Sequence, residues 1–286
     1  YGVNQKRIQA TIASTTSSIA VELACDKEET KNLLEASEIP VPRGRIVYDE
    51  DDLKAAIDKI GYPIVTKPVN GNHGKGATTD IRTWEDAAIG LEAAKKYGRA
   101  VICERFITGR DFRALVIDYK FVAAALRTPA SVTGDGTHTI QELIDIVNSD
   151  PRRGYGHEKV LTSIKVDAFT MDILDKKGYT LDTILPSGEG LWLKPTANLS
   201  TGGTATDVTD FVHPNNVMMC ERIARIIGLN ICGIDIMAPD LSTPLNESGG
   251  AVLEVNAAPG FRMHLDPTEG LPRNVAEPVI DMLYPP

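Results

Sequence analysis

Residues 249–260 read GGAVLEVNAAPG, and residues 233–237, a short way before them, read GIDIM. Both segments alternate aliphatic and polar residues as β-strands do, so Glu254 and Asn256 fall on one face and the aliphatic residues on the other. A hairpin through the intervening residues would place the two strands side by side and bring Asp235 onto the polar face. Carboxylate and amide oxygens are ligands that Mg²⁺ accepts, often together with substrate phosphates. The pattern therefore predicts a magnesium site formed by Asp235, Glu254 and Asn256.

The alternative for these side chains is a solvated strand face, which is the usual position of a single Asp or Glu. Aliphatic residues flank all three polar side chains in the sequence. A buried strand does not carry acids without a cationic partner, because an unpaired buried charge is costly. The sequence therefore favours the metal site over the solvated face.

The composition is that of an ordinary globular protein, with 42% hydrophobic and 24% charged residues over 286 positions. The formal net charge of -9 argues against a general nucleic-acid surface but allows a small basic pocket for a polyanion such as ATP. Four single cysteines without zinc-like spacing fit buried thiols in a reducing cytoplasm. No apolar run has the length of a membrane span, so we expect a cytoplasmic protein without a membrane partner. The first residue is Tyr rather than Met, which indicates a segment of a longer protein.

A glycine-rich loop follows an apolar strand in the first third of the chain. The strand covers residues 62–68 and ends near Lys67, and the loop at residues 70–77 reads NGNHGKGA. Glycines let backbone N–H groups approach phosphate oxygens, while Lys67 and Lys75 add positive charge. The loop matches neither the Walker pattern nor the GxGxxG spacing of dinucleotide-binding folds. Taken alone it is better explained as a hairpin tip, so its interpretation depends on the residues around it.

Three further polar residues lie on predicted strands. Glu104 lies on a strand covering residues 100–107, and Arg113 and Arg127 lie on two strands that can pair as a hairpin. Arginines at such positions usually form surface salt bridges. Two arginines on neighbouring strands near a phosphate site can instead clamp anionic oxygens.

From residue 134 to about residue 200 the pattern loosens, which predicts an inserted lobe or a mobile loop. The segment contains His138, whose default role is solvation and whose alternative role is contact with an acidic substrate. It ends in a turn of small residues at 198–204, reading NLSTGGT, which allows close backbone approach to a ligand.

The order of these features resembles the ATP-grasp ligases. A lysine at a strand end, a glycine-rich loop, Glu104 on the next strand and the two metal-ligand strands follow one another over almost the whole chain. The resemblance implies an α+β architecture, the ATP-grasp fold, in which two α+β lobes clamp ATP with Mg²⁺, here with an inserted mobile lobe or loop. It implies a connecting segment at 1–25, a smaller lobe with a glycine-rich lid at 26–107, and a C-terminal lobe at 108–286 with the metal site and an insertion around 134–200. Members of the family join a carboxylate to an amine through an acyl phosphate.

The same resemblance implies roles for individual residues. Lys31 and Lys67 correspond to the lysines that reach the nucleotide phosphates. The lid that closes over the phosphates corresponds to Gly71, His73, Gly74, Lys75 and Gly76. The adenine edge corresponds to Glu104, Phe106 and Ile107. The acid near the ribose corresponds to Asp111. The magnesium ligands are Asp235, Glu254 and Asn256, and the candidate catalytic cations are Lys67, Arg127 and Arg262. Candidate substrate contacts are Arg113, His138, Asn198, Ser200, Thr201, Gly202 and Gly203.

Several segments resemble more closely the branch of the family that adds aspartate to the C-terminal carboxylate of a poly-aspartate backbone. These segments are residues 1–8, 24–31, 40–44, 134–140 and 254–264. The resemblance implies that the binding partners are ATP, aspartate and a peptide or poly-aspartate acceptor. It also implies that the chain is part of a larger multidomain, homo-oligomeric synthetase.

One departure from the family pattern leaves a question open. D-alanine:D-alanine ligases carry an arginine just before the first metal carboxylate, where this chain has Gly233 and Ile234, so another residue must supply that cation. The turn at 198–203 instead resembles glutathione synthetases and the ligases that add glutamate to a ribosomal protein, which favours a peptide-like acceptor. A glutamate or cysteine ligase of those types is therefore the first alternative function, and an ATP-binding sensor module without catalysis is the second.

Overall fold

The computed structural model describes residues 5–69, 76–156 and 158–285. The chain begins with a short hairpin and two helices, which are β1 (Ile8–Gln9), β2 (Ile12–Ala13), α1 (Ser18–Cys25) and α2 (Lys27–Ala36). Asp26 separates the two helices, because its side chain accepts hydrogen bonds from the N–H groups of Glu28 and Glu29. This cap makes Lys27 the first residue of α2.

The smaller lobe is an antiparallel sheet covered on one face by two helices. Its elements are β3 (Gly44–Val47), α3 (Glu50–Ile60), β4 (Ile64–Pro68), β5 (Thr78–Ile81), α4 (Trp84–Lys95) and β6 (Val101–Arg105). The strand order is β3-β6-β4-β5. Asp49 and Thr83 cap α3 and α4, because their side chains accept hydrogen bonds from the N–H groups of Asp52 and Asp86. The helices bury one face of the sheet, and strand alternation places Lys67 and Glu104 on the other.

The larger lobe begins with the predicted hairpin of β7 (Arg110–Ile117) and β8 (Lys120–Thr128). The insertion follows and contains β9 (Ser131–Thr133), α5 (Ile140–Asn148), β10 (Arg153–Gly154), β11 (Leu161–Thr162), α6 (Ala168–Lys176) and β12 (Gly190–Trp192). Its buried side chains, among them Ile140, Leu174 and Leu191, form a separate hydrophobic core. The loosely patterned region is therefore a folded lobe rather than an open loop.

The chain then completes the sheet of the larger lobe. The remaining elements are β13 (Thr204–Asp207), α7 (Pro214–Ile227), β14 (Ile231–Ala238), α8 (Leu245–Ser248), β15 (Ala251–Asn256), α9 (Arg262–Leu265) and α10 (Ala276–Leu283). The strand order is β13-β8-β7-β14-β15, and every pairing is antiparallel. Helices α1, α2 and α7 bury one face of this sheet. Helix α10 covers one end of the opposite face, and the rest of that face carries the polar side chains of the candidate site.

Within the described ranges, no helix has both the length and the apolar character needed to cross a membrane.

Candidate active site

The three predicted metal ligands lie on one face of the larger sheet. Strands β14 and β15 pair with Asp235 opposite Glu254 and Gly233 opposite Asn256, so the polar side chains project at adjacent positions. Among the described residues no three Asp, Glu, His or Cys side chains converge as a metal site. A magnesium site here therefore needs the amide oxygen of Asn256 and phosphate oxygens as further ligands. The Nδ2 of Asn256 is buried and has no hydrogen-bond partner in the described chain, which fits an amide that faces a bound ligand.

Two arginines lie beside Asp235 on the same face. Arg113 lies opposite Asp235 on β7, and its Nε and Nη2 donate to the two carboxylate oxygens, Nη2 over 3.2 Å. The Nη2 of Arg127 lies 3.2 Å from Asp235 Oδ2, and its Nε donates to Asp111 over 2.8 Å. Burial disfavours the charge of Arg127, but the carboxylates of Asp235 and Asp111 outweigh burial and raise its pKa. Both arginines therefore lie at the predicted metal carboxylate, where they can clamp an anion.

Gly233 provides the space that Arg113 occupies. A Cβ atom at residue 233 would lie 2.9 Å from Arg113 Nη1 and 2.8 Å from the Cβ of Pro259. The guanidinium therefore lies against the strand two residues before Asp235. Strand β14 has no arginine just before Asp235, but Arg113 on the neighbouring strand β7 supplies a cation at this place. The sequence predicts Arg113 as a substrate contact or as one of two arginines that clamp anionic oxygens, but the strand register that brings it to Asp235 cannot be read from the residues alone.

Two of the predicted phosphate lysines meet on one acidic side chain. The Nζ of Lys31 lies 3.1 Å from Glu104 Oε2, and the Nζ of Lys67 donates to Glu104 Oε1. Burial acts to raise the pKa of Glu104, but the two lysines outweigh burial and lower it. The Glu104 carboxylate therefore contacts the two lysines in its negatively charged form. The predicted adenine residues Phe106 and Ile107 follow directly at the end of β6, where the N–H of Phe106 donates to Pro63 O over 2.9 Å.

Sequence analysis missed Lys27. Its Nζ lies 3.2 Å from Glu254 Oε2, so α2 and β15 are joined at one of the predicted metal ligands. Lys27 and Lys31 are four residues apart and share one face of α2. The position of Lys27 can be inferred from the sequence. A helix capped by Asp26 that carries Lys31 places Lys27 one turn earlier on the same face.

A cleft of about 320 Å³ separates the smaller lobe from the edge of the larger sheet. This volume is within the usual range for small-molecule sites. Lys27, Lys31, Lys67, Glu104 and Glu254 all line the cleft. The predicted phosphate lysines and the predicted metal ligand Glu254 therefore face the same cleft, although they lie in different parts of the fold.

The predicted substrate turn lies beside the arginine pair. Residues 198–203 form a short turn that leads into β13, and β13 pairs with β8 so that Ala205 lies opposite Arg127. A Cβ atom at Gly203 would lie 2.7 Å from Thr128 O, so a glycine is needed for this close approach. The buried Arg153 guanidinium donates to Gly202 O over 3.0 Å. The insertion thus holds the turn, including Asn198, Ser200 and Thr201, next to the strand that carries Arg127.

Two other predicted residues are bonded within or to the insertion. His138 pairs with Asp135 in its own exposed turn, and it is not among the residues that line the cleft. The Nη1 of Arg262 donates to Lys159 O over 3.2 Å, which joins the segment after β15 to the insertion. The structure therefore places neither side chain with the cations around Asp235.

The glycine-rich lid is described only at its end. Gly71, His73, Gly74 and Lys75 lie outside the described residues, so their predicted roles rest on sequence. Gly76 has a φ of 73°, a conformation that residues with a Cβ rarely adopt. A glycine is therefore required where the loop enters the following strand.

His264 lies buried beside the arginine pair. The side chain belongs to α9, which follows the metal strand, and it is 2% exposed. Neither ring nitrogen has a hydrogen-bond partner among the described residues. Burial, together with the charges of Arg113 and Arg127, lowers the pKa of His264 to about 4, and Asp207 opposes this effect. The imidazole is therefore neutral in the folded protein near pH 7.

We expect His264 to weaken the fold in mild acid. The unfolded chain takes up a proton at this residue near pH 6.5, whereas the folded chain does so only near pH 4. The free energy of unfolding should therefore fall by about 1.4 kcal/mol per pH unit from this residue between those values, and the contribution is retained above pH 6.5. Urea unfolding of the wild type and His264→Gln at pH 7, 6 and 5 measures the difference. Identical pH slopes for the two proteins would contradict this expectation.

Comparisons with known proteins identify the fold. A family model described as an ATP-grasp domain matches residues 32–117. The chain has the ATP-grasp fold. Over 289 aligned residues it is 56% identical to a cyanophycin synthetase of Crocosphaera subtropica, covering 100% of this chain and 33% of that enzyme. It is 31% identical over 279 residues to the glutathione biosynthesis bifunctional protein of Clostridium perfringens, covering 96% of this chain and 36% of that protein.

The solved structures agree with the sequence relatives. A bifunctional glutathione synthetase from Pasteurella multocida matches 100% of this chain and 39% of its own length, with a TM-score of 0.76 and 30% identity. The predicted ATP-grasp fold and the predicted similarity to ATP-grasp ligases are therefore confirmed. This ATP-grasp chain spans about a third of the length of the curated relatives that it matches. The predicted lobe boundaries and site residues remain predictions.

Proposed function

We propose that this ATP-grasp domain is an ATP- and Mg²⁺-dependent carboxylate-amine ligase that forms a peptide bond through an acyl phosphate. The observation that carries the proposal is that Glu254 lines one cleft together with Lys27, Lys31 and Lys67. On the larger sheet Glu254 lies opposite Asp235, and two arginines contact Asp235. Phosphoryl transfer depends mainly on positioning and on electrostatic stabilisation, and this set of groups supplies both.

In this proposal some residues of the site bind the nucleotide and others act on the phosphoryl group that is transferred. Asp235, Glu254 and Asn256 would hold Mg²⁺, which when bound neutralises charge on the β- and γ-phosphates. Lys31 and Lys67, with the glycine-rich lid, bind the phosphates and hold them in line with the acceptor. The adenine edge and the ribose contact are provided by the segment at 104–107 and by Asp111.

The arginines act on the charge that develops during transfer. A carboxylate oxygen of the acceptor attacks the γ-phosphorus, the bond to the bridging oxygen breaks, and ADP leaves. Arg113 and Arg127 stabilise the phosphoryl oxygens during this step, as preorganised donors do. The amine of the incoming amino acid then attacks the acyl carbon, loses a proton, and releases inorganic phosphate. No nucleophile from the protein is needed. In this proposal Arg262, which follows the metal strand and donates to Lys159 O, contacts the acyl phosphate.

The proposed substrates are aspartate and the C-terminal carboxylate of a poly-aspartate backbone. The support is the identity of 54–56% over the whole chain to enzymes named cyanophycin synthetase, together with the sequence segments that resemble the same branch. The turn at 198–203 and His138 provide peptide and carboxylate contacts in this proposal. The domain would work within a larger, cytoplasmic, homo-oligomeric synthetase.

We expect ADP release over many turnovers to require both aspartate and a poly-aspartate primer whose side chains carry arginine, that is, a primer of β-aspartyl-arginine units. Glutamate and cysteine should react slower by about tenfold or more, the discrimination that one methylene or a changed polar group allows. A coupled ADP assay on the protein measures the rates, and mass spectrometry of the primer should show one added aspartyl residue per turnover. The mixture without primer is the control.

One alternative has its own supporting observation. The similarity to glutathione synthetases covers nearly the whole chain, at 31% identity in sequence and a TM-score of 0.76 in structure. Faster ADP release with cysteine or glutamate than with aspartate would favour this alternative. Nucleotide binding without ADP release for any amino acid would favour a sensor module, although a sensor has no need of a complete set of magnesium ligands.

A further inference from the structure

The contacts of the Glu104 side chain differ from those expected of an adenine-reading acid. We propose that Glu104 is a positioning residue that holds Lys31 and Lys67 where they receive the nucleotide phosphates. The inference rests on the proposed function, because it takes ATP as the substrate. In this proposal the Glu104 carboxylate acts by positioning two other side chains. The backbone, Phe106 and Ile107 bind adenine.

Each carboxylate oxygen of Glu104 accepts from a different lysine. Oε2 lies 3.1 Å from the Nζ of Lys31, and Oε1 accepts from the Nζ of Lys67. The exposed fractions of the side chains are 11% for Glu104, 22% for Lys31 and 37% for Lys67. The carboxylate therefore lies beneath the two ammonium groups, which face the cleft. An ammonium has three N–H donors, so each lysine can bind Glu104 and a phosphate oxygen at the same time.

The two lysines come from separate elements and would not meet without an anion between them. Lys31 lies on α2 and Lys67 lies at the end of β4. Lysine side chains are long and flexible, and two ammonium groups side by side repel one another. The Glu104 carboxylate offsets this repulsion and fixes both stems. Holding charged groups in place before a ligand arrives improves affinity, because less freedom is lost on binding.

Gly44 provides a second, independent observation. It lies opposite Glu104 on β3, and a Cβ atom there would lie 2.6 Å from Glu104 Cβ and 3.0 Å from Lys31 Nζ. Gly44 is not among the residues with positive φ, so backbone conformation does not explain the glycine. The space above residue 44 is filled by the Glu104 and Lys31 side chains and by the carbonyl oxygen of Cys103, which would lie 2.9 Å from that Cβ atom.

The test compares nucleotides that differ in phosphate number. Binding of ATP, ADP, AMP and adenosine to the wild type and Glu104→Gln is measured by calorimetry with Mg²⁺ present. Glu104→Gln should weaken ATP and ADP binding by about tenfold, as expected when a charge-assisted contact is lost. Binding of adenosine should change less than about twofold, since it has no phosphate for the lysines to bind. Glu29→Gln is the matched control and should leave binding of all four compounds unchanged, because Glu29 is exposed on the same helix as Lys31 and does not line the cleft.

Other outcomes of this test contradict the proposal. An equal loss for adenosine and ATP would show that Glu104 reads adenine, and tighter ATP binding by Glu104→Gln would show that the carboxylate competes with phosphate. Gly44→Ala keeps every charge and should weaken ATP and ADP more than adenosine, which tests the proposal if Glu104→Gln does not fold. If the folded wild type binds no nucleotide, the proposed function fails as a whole. That result is distinct from a failure of the role of Glu104 alone.

Discussion

Replacing Glu254 with alanine should lower kcat for ATP-dependent ligation on the order of 10²- to 10³-fold, because the change removes a charged group that acts on the transferring phosphoryl group. The stability of the protein should change little. Glu254 lies on an edge strand and pairs with the half-exposed Lys27, and a pair of this kind typically contributes about 1 kcal/mol or less. The rate is measured by ADP release, and the stability by thermal unfolding of the same samples.

Glu247→Ala provides the control for Glu254→Ala. Glu247 is an exposed acid in α8, a few residues before the metal strand. Its replacement removes the same charge from the same part of the chain and should leave kcat unchanged. A folded Glu254→Ala protein that ligates at the wild-type rate would remove Glu254 from the metal site.

Replacing Arg113 with lysine should lower kcat on the order of 10²-fold, even though the positive charge is kept. The planar fork of Arg113 places two donors on Asp235, and an ammonium cannot reproduce that geometry. The loss of one preorganised donor to a developing oxyanion has this magnitude in other enzymes. Because the charge remains, the carboxylate of Asp235 keeps a cationic neighbour and the fold should be preserved.

Two further variants show whether Arg113 acts from this position. Arg110→Lys changes an exposed arginine on the same strand and should leave kcat unaltered. Gly233→Ala leaves Arg113 in the chain but adds a Cβ atom 2.9 Å from its Nη1, so the guanidinium must move and kcat should fall by about tenfold. If Arg127→Lys is inactive while Arg113→Lys and Gly233→Ala keep the wild-type rate, then Arg127 is the catalytic cation.

Much of the architecture was visible in local sequence patterns. The helix caps at Asp49, Thr83 and Thr139 are of the kind that can be read from the sequence, because a cap depends on residues within one turn. The alternation in the GGAVLEVNAAPG segment placed Glu254 and Asn256 on one face, because strand periodicity is a local property. The insertion was harder to predict. Its helices and strands are short, and its core is formed by residues far apart in the chain, so the sequence pattern does not distinguish a folded lobe from a loop.

The individual contacts of the site depended on tertiary structure. Lys31, Lys67, Glu104, Arg113 and Asp235 were all predicted from the sequence, but strand pairing puts Arg113 on Asp235 and Lys67 near Glu104, and the position of α2 against the smaller lobe brings Lys31 to Glu104. Lys27 was overlooked, because its partner Glu254 is more than two hundred residues away.

The sequence by itself determined the resemblance to the ATP-grasp ligases, the order of the polar segments and the strand face on which the predicted metal ligands lie. These properties depend on residue type and on periods of two or 3.6 residues along the chain. The tertiary structure decided which side chain supplies the cation beside Asp235 and which acid holds the lysines. The physical reason is that strand register and the packing space at Gly233 and Gly44 arise only when distant segments come together.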